Sequence, residues 1–241
     1  MTELTAGATA PTEPATENDA RRALIDACLR MNALGINQGK AGNASMRWNR
    51  GGEDGLLITP AALPYEQMQL EDIVWISLRV QGDGEQTRPA LRDARREPSS
   101  EWRMHRDVYA KRVDAQSVVH THGSHVAGLS CSARVQRDGI PPFHYMVAIA
   151  GGRDIRCAPY ASFGTQALSD HALIALRDRR ACLLANHGLL ALGASLAQAL
   201  ALAVEVEALA RMYWQGLQLG DLVLLDDAEM QAVALRLAAR G

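Results

Sequence analysis

Two short apolar runs, each leading into a histidine, limit what this chain can fold into more than any other feature of its sequence. Ser117-Val-Val-His-Thr121 is β-branched, Ala181-Cys-Leu-Leu-Ala185 is apolar throughout, and Asn186-His187-Gly188 follows the second run directly. Runs this short and this apolar suit strands covered on both faces. Their histidines then sit at the rim of a buried sheet. His120 and His122 are two apart, and side chains at i and i+2 of a strand share a face. A histidine at the tip of an apolar strand, just before a glycine, points into a cleft and not into bulk solvent.

The rest of the chain supplies the cover. Helical spacing runs from Asn18 to a stop at Gly35, from Ser99 to about Arg112 behind a Ser-Ser-Glu start, and over 125–131, 166–177, 195–219 and 228–239. Further strand patterns fall at 44–48, 56–59, 73–77 and 155–158. The polar, arginine-rich stretch 81–98 reads as a loop. Strands and helices mix without strict alternation and no repeat is visible. The expected fold class is α/β, a single domain with a central mixed or antiparallel sheet covered by helices. Residues 1–17, rich in Ala, Thr, Pro and Glu, read as a disordered tail ahead of a catalytic domain at 18–241.

With 241 residues, 48% of them hydrophobic, the chain is long enough for one substantial core. A net charge of −2 argues against a general nucleic-acid role, which needs a cationic face. The four cysteines are scattered and form no C-x-x-C pair, as expected of reduced thiols. No run reaches the ~18 apolar residues of a membrane span, and the N-terminal stretch has neither the basic nor the apolar region of a secretory signal. These features point to a soluble, cytoplasmic protein with no membrane partner.

Three neutral imidazoles from His120, His122 and His187, leaving one coordination position open, make a catalytic rather than a structural zinc arrangement. A His-x-His pair also occurs simply as a hydrogen-bonded surface pair. His125 extends the run and could be a fourth ligand, an outer neighbour or a buried residue; His105, His144 and His171 lack a comparable setting. Upstream, Gly39-Lys-Ala-Gly-Asn43 is a small-residue loop where a ligand can approach the backbone closely. Ser99-Ser100 at a helix start offers hydroxyls, N–H groups and the positive dipole end to an anion, or simply a cap.

Taken in order, Gly42-Asn-Ala-Ser-Met-Arg47, Pro98-Ser-Ser-Glu-Trp-Arg-Met-His105, Val118-Val-His-Thr-His122, Pro159-Tyr-Ala-Ser-Phe-Gly-Thr165 and Asn186-His-Gly-Leu189 resemble the class II aldolase/adducin family, over about Arg21 to Tyr213. The resemblance implies a Zn²⁺ ion, replaceable by Mn²⁺ or Co²⁺, on His120, His122 and His187, with Glu101 completing the shell when substrate is absent. It implies a phosphate cradle of Asn43, Ser99 and Ser100, with Lys40 at its border. Glu101 becomes the base, Tyr145 a proton donor reaching across a subunit boundary, and Phe163 part of the aldehyde side of the pocket. The implied assembly is a C4 homotetramer with sites between subunits.

The implied reaction is metal-dependent lyase chemistry: a ketose 1-phosphate, L-fuculose 1-phosphate or a related deoxyketose phosphate, splits to dihydroxyacetone phosphate and an aldehyde through an enediolate. The same scaffold carries 4-epimerases, decarboxylases of 3-keto-acid phosphates and a non-enzymatic adducin-like interaction module. The three histidines and Glu101 argue against the module. The chain departs from the family pattern at Lys40, where threonine is usual, and at Ala61-Ala62, where Thr-Gly is usual. All three border the implied phosphate pocket.

Overall fold

Strict alternation of strand residues between two hydrophobic layers organises the fold. The computed structural model describes residues 14–79, 89–91 and 94–239. Seven strands form one sheet in the order β3 (Val74–Ser77), β2 (Glu53–Ile58), β1 (Asn43–Arg50), β4 (Ser117–Thr121), β7 (Gly188–Gly193), β6 (Ala181–Leu184) and β5 (Cys157–Ala158). Only β5 and β6 run parallel, so the sheet is mixed.

Leu57, Trp75, Val119, Leu183, Leu189 and Ala191 point to one face, where they pack against α1 (Glu17–Ala33) and α6 (Leu196–Leu219). Their neighbours Leu56, Ile58, Val74, Ile76, Val118, Leu184, Leu190 and Leu192 point to the other, against α2 (Trp102–Lys111) and α5 (Gln166–Ala175). Period-two alternation on a sheet covered on both sides is why these strands read as continuous apolar runs. β1 differs: Ala44 and Met46 join the first layer, while Asn43, Ser45 and Arg47 turn towards α2 and meet its side chains and carbonyls.

The observed elements refine the reading of the sequence. β7 is a central strand that the sequence pattern did not single out. Its six residues are all buried and apolar or glycine, so they carry no alternation. α2 begins at Trp102 rather than Ser99; Ser99 to Glu101 form a turn in which Trp102 N–H donates to the Ser99 carbonyl at 3.0 Å. A short α3 (Ser124–Ser130) is followed by an unanticipated α4 (Ala133–Asp138), and α7 (Asp227–Ala238) closes the described chain. Most of the expected N-terminal tail, and most of the 81–98 loop, lie outside the described residues. α1 starts at Glu17 behind a reciprocal Thr16–Asp19 capping box.

Three segments meet beside the N-terminal side of α2. Ala61 N–H donates to the Glu97 carbonyl and Ser99 N–H to the Thr59 carbonyl, both at 3.0 Å. Ala62 holds a left-handed backbone with φ +56°, and Lys40 Nζ donates to its carbonyl at 3.0 Å. A non-glycine residue pays roughly 1–2 kcal/mol for that conformation. Ala62→Gly should therefore stabilise the protein, by about 0.5–1 kcal/mol once the greater freedom of glycine in the unfolded chain is offset. A urea midpoint that stays put or falls would count against strain at this turn.

Candidate metal centre

β4 delivers the first two histidines. His120 faces the α2 side of the sheet, as Val118 does, and is fully buried, opposite Asn43 on β1 and Leu190 on β7. Its Nδ1–H donates to the Leu189 carbonyl at 2.9 Å, which turns Nε2 towards the site. His122 lies one residue past the strand end, its backbone N–H held by Asn37 Oδ1 at 3.2 Å. His187 comes from the three-residue connection between β6 and β7, where Asn186 takes the left-handed conformation (φ +54°). The Ser130 hydroxyl accepts the His187 N–H at 3.2 Å. Gly188 follows because a Cβ there would sit 2.3 Å from the Thr121 carbonyl oxygen and 2.9 Å from the His122 ring.

Glu101, at the start of α2, faces these rings from the other side. Its Oε2 lies 3.0 Å from His120 Nε2 and its Oε1 3.3 Å from His187 Nε2. One donor atom from each of the four residues falls within 4.8 Å of all the others. Burial opposes ionisation of Glu101, but the positive field and hydrogen bond of His120, then His187 and the Asn43 amide, outweigh it and hold the carboxyl well below the usual range. Burial, reinforced by His120, pushes His122 down to about 3 and His187 down to about 4, so both are neutral at neutral pH. Burial works against charging His120 too, yet Glu101 raises it above its ordinary value.

A divalent cation fits this group. Glu101 Oε1 is buried without a hydrogen-bond partner, and the Nε2 atoms of His120 and His122 face each other at 2.7 Å. Lone pairs and an orphaned carboxylate oxygen converging on one point are what a cation with nitrogen and oxygen ligands requires.

The remaining sequence candidates surround this group unevenly. Asn43 is buried, its amide nitrogen donating to Glu101 Oε2 at 2.9 Å and its oxygen 2.6 Å from His105 Nε2. Ser99 is buried, with its hydroxyl accepting the Glu101 N–H at 3.3 Å, while Ser100 is exposed. Phe163, 69% exposed, precedes Gly164, whose Cα faces the Ser100 carbonyl so closely that a Cβ would lie 2.7 Å from it. Lys40 is exposed and spends one N–H on Ala62. Tyr145 opens a 3₁₀ segment (Tyr145–Ala150); it is half-exposed, with its ring 4.8 Å from that of His144 and its hydroxyl bonded to none of the described residues.

Two residues had escaped the sequence reading. His105 is fully buried on α2, bonded to Asn43 and Ser45. Glu207 sits on the buried stripe of α6 and accepts the backbone N–H groups of His125 and Val126 as well as His125 Nδ1, at 2.8–3.0 Å. It fixes the chain just past His122, where Gly123 leaves room for its carboxylate. His125 is thereby bound to Glu207, outside the four-residue group. A carboxylate at a helix position spaced for the core was the one signal that could have revealed Glu207.

Residues 22–214 match the model of the family described as class II aldolase and adducin N-terminal domain. A 5-methylthioribulose-1-phosphate/5-deoxyribulose-1-phosphate aldolase of Rhodospirillum rubrum is 48% identical over 213 residues, 88% of either chain. An L-fuculose phosphate aldolase of Escherichia coli K12 is 46% identical over 217 residues, 90% of this chain and 93% of its own. Among solved structures, an L-fuculose 1-phosphate aldolase superposes with a TM-score of 0.82 at 31% identity, over 94% of this chain and all of its own.

The cluster predicts how metal-free protein responds to acid. His122, His187 and His105 have folded-state values of about 3 to 4, against 6.5 for a free imidazole. Between those limits the unfolded chain binds more protons, so stability falls as pH falls from about 6.5 to about 4. Urea midpoints of chelator-treated protein should drop steadily through that window; a flat profile would mean the imidazoles are not buried in neutral form. His187→Ala should strip the divalent cation from purified protein, and metal analysis finding wild-type content would remove His187 from the ligand set.

Proposed function

Because the chain belongs to the class II aldolase and adducin family and, with the aldolases it matches over most of their length, to the lyases, we propose that it is metal-dependent and cleaves a deoxyketose 1-phosphate to dihydroxyacetone phosphate and an aldehyde. L-fuculose 1-phosphate and 5-deoxyribulose 1-phosphate, with its 5-methylthio analogue, are the leading candidates, since they are the substrates in the names of the relatives above. The observation that carries this reading is the ionised, buried Glu101 held among three imidazoles, next to a Ser99–Ser100 turn. The resident cation is taken to be Zn²⁺, which suits nitrogen-rich sets, with Mn²⁺ or Co²⁺ as substitutes. When bound to His120, His122 and His187 it would supply a Lewis acid for the charge that develops as the C3–C4 bond breaks.

The chain's own groups do the rest. Glu101 moves the proton at C3 of dihydroxyacetone phosphate, from a position 3.0 Å from His120 Nε2 and 2.9 Å from the Asn43 amide nitrogen. Ser99, Ser100 and Asn43 take the phosphate oxygens at the N-terminal side of α2. Lys40, held over the 59–62 turn by Ala62, adds a positive charge to that rim. Phe163, exposed on the loop that packs on Ser100, borders the aldehyde end. Tyr145, whose hydroxyl is bonded to none of the described residues, serves as the proton donor to the aldehyde oxygen of a neighbouring subunit. That role requires a homo-oligomer, which we take to be a C4 tetramer. No helix among the described residues is long and apolar enough to cross a membrane, in keeping with a cytoplasmic enzyme.

Two measurements test this. A panel of 5- and 6-deoxyketose 1-phosphates should release dihydroxyacetone phosphate for at least one member; silence across it, with CO₂ released from a keto-acid phosphate, would favour a decarboxylase. Glu101→Gln should abolish proton exchange at C3 of dihydroxyacetone phosphate while the cation stays bound. Undiminished exchange would take Glu101 out of the role.

A further inference from the structure

A buried polar chain leads away from Glu101 through β1 and α2. Asn43 amide and Glu101 Oε2 are 2.9 Å apart, Asn43 Oδ1 and His105 Nε2 2.6 Å, His105 Nδ1 and Ser45 Oγ 2.7 Å, and Ser45 Oγ and Tyr109 Oη 2.8 Å. Each of these residues is at most 4% exposed. None was needed to build the core, since a leucine would fill the His105 position without a buried polar atom.

The directions of these hydrogen bonds are not free. Glu101 is ionised and can only accept, so Asn43 must turn its NH₂ towards it and its oxygen towards His105. The Asn43 oxygen can only accept, so His105 must carry its proton on Nε2. Burial keeps His105 neutral, which leaves Nδ1 bare and makes Ser45 its donor. With its own hydrogen spent, the Ser45 oxygen accepts from the Tyr109 hydroxyl. One arrangement of protons satisfies the chain, and its far end sits between β4 and α2 in the hydrophobic core.

We propose that His105 is a positioning residue of the active site: held as the Nε2–H tautomer between the Asn43 oxygen and the Ser45–Tyr109 hydroxyls, it prevents the Asn43 amide from flipping and keeps an N–H donor fixed on Glu101. The inference rests on the aldolase reading for its kinetic consequence and on geometry alone for the tautomer. A donor that cannot reorient favours the ionised carboxylate and costs no reorganisation as the proton moves. If Asn43 flipped, its oxygen would face the carboxylate, and the phosphate side would exchange a donor for an acceptor.

The test pairs variants with a spectroscopic readout. Nitrogen-resolved NMR of the histidine side chains should show His105 in wild type as Nε2–H with an unprotonated Nδ1, and Ser45→Ala, which removes only the donor to Nδ1, should keep the proton on Nε2. In protein loaded to equal cation content, His105→Leu should slow C3 proton exchange of dihydroxyacetone phosphate by about 10- to 100-fold, the range for partners that act through a contacting group. His105→Gln, which can still donate to Asn43 and accept from Ser45, should recover most of the rate. A purely packing role predicts the reverse order, with leucine the better substitute. An Nδ1–H tautomer in wild type, or His105→Leu exchanging as fast as His105→Gln, overturns the proposal. Absence of exchange in wild type would instead sink the aldolase reading, with the tautomer still deciding the role of His105.

Discussion

A carboxylate only 4% exposed is the constraint around which this molecule is arranged. An ionised group taken out of water costs several kcal/mol unless its neighbours compensate. Glu101 is compensated by His120 from the centre of the sheet, His187 from a hairpin and Asn43 from the adjoining strand. None of those partners is close to it in sequence. Each must arrive through correct strand pairing, so the register of the sheet and the electrostatics of the site specify each other. Asn43 opposite His120 on β1 and β4, and Leu189 opposite Thr121 on β7 and β4, are the pairings that do it.

Glycine sets the remaining tolerances. Gly42 lies where a Cβ would sit 2.5 Å from the His120 carbonyl oxygen, and Gly188 where one would press on Thr121 and His122. Both neighbours are ladder backbone, which cannot step aside as a flexible side chain can. The close approach of β1, β4 and β7 at one end of the sheet is what brings three imidazoles together, and it depends on residues with no side chain at these positions.

Much of this was legible in the sequence. Apolar runs ending in histidine showed where the site would lie, and the spacing of His120 and His122 followed from the pleat. The ordering of the motifs indicated the family and hence a role for Glu101. β7 was hidden because Gly188 to Gly193 is apolar without alternation, and one of its two partners, β4, is distant in sequence. The α2 boundary moved because Ser99 bonds the Glu101 N–H within a turn ahead of the first helical residue. At β1 the pattern alone says nothing of burial. Asn43, Ser45 and Arg47 alternate with apolar residues as on a strand with one wet face, yet that face is buried against α2 and satisfied by His105, Tyr109 and backbone carbonyls. Polarity in a sequence distinguishes hydrogen-bonding need from its absence, and the partner that meets the need belongs to the tertiary structure.

The placement of His120 on the middle strand has a consequence for how the site is anchored. Its neighbours on both sides are fully paired, and its ring is tied to the Leu189 carbonyl. Amides there are paired within the centre of the sheet, whereas His122 and His187 lie beyond strand ends on partly exposed connections. The site is thus held by the full ladder on the His120 side and by single backbone hydrogen bonds to Asn37 and Ser130 at His122 and His187.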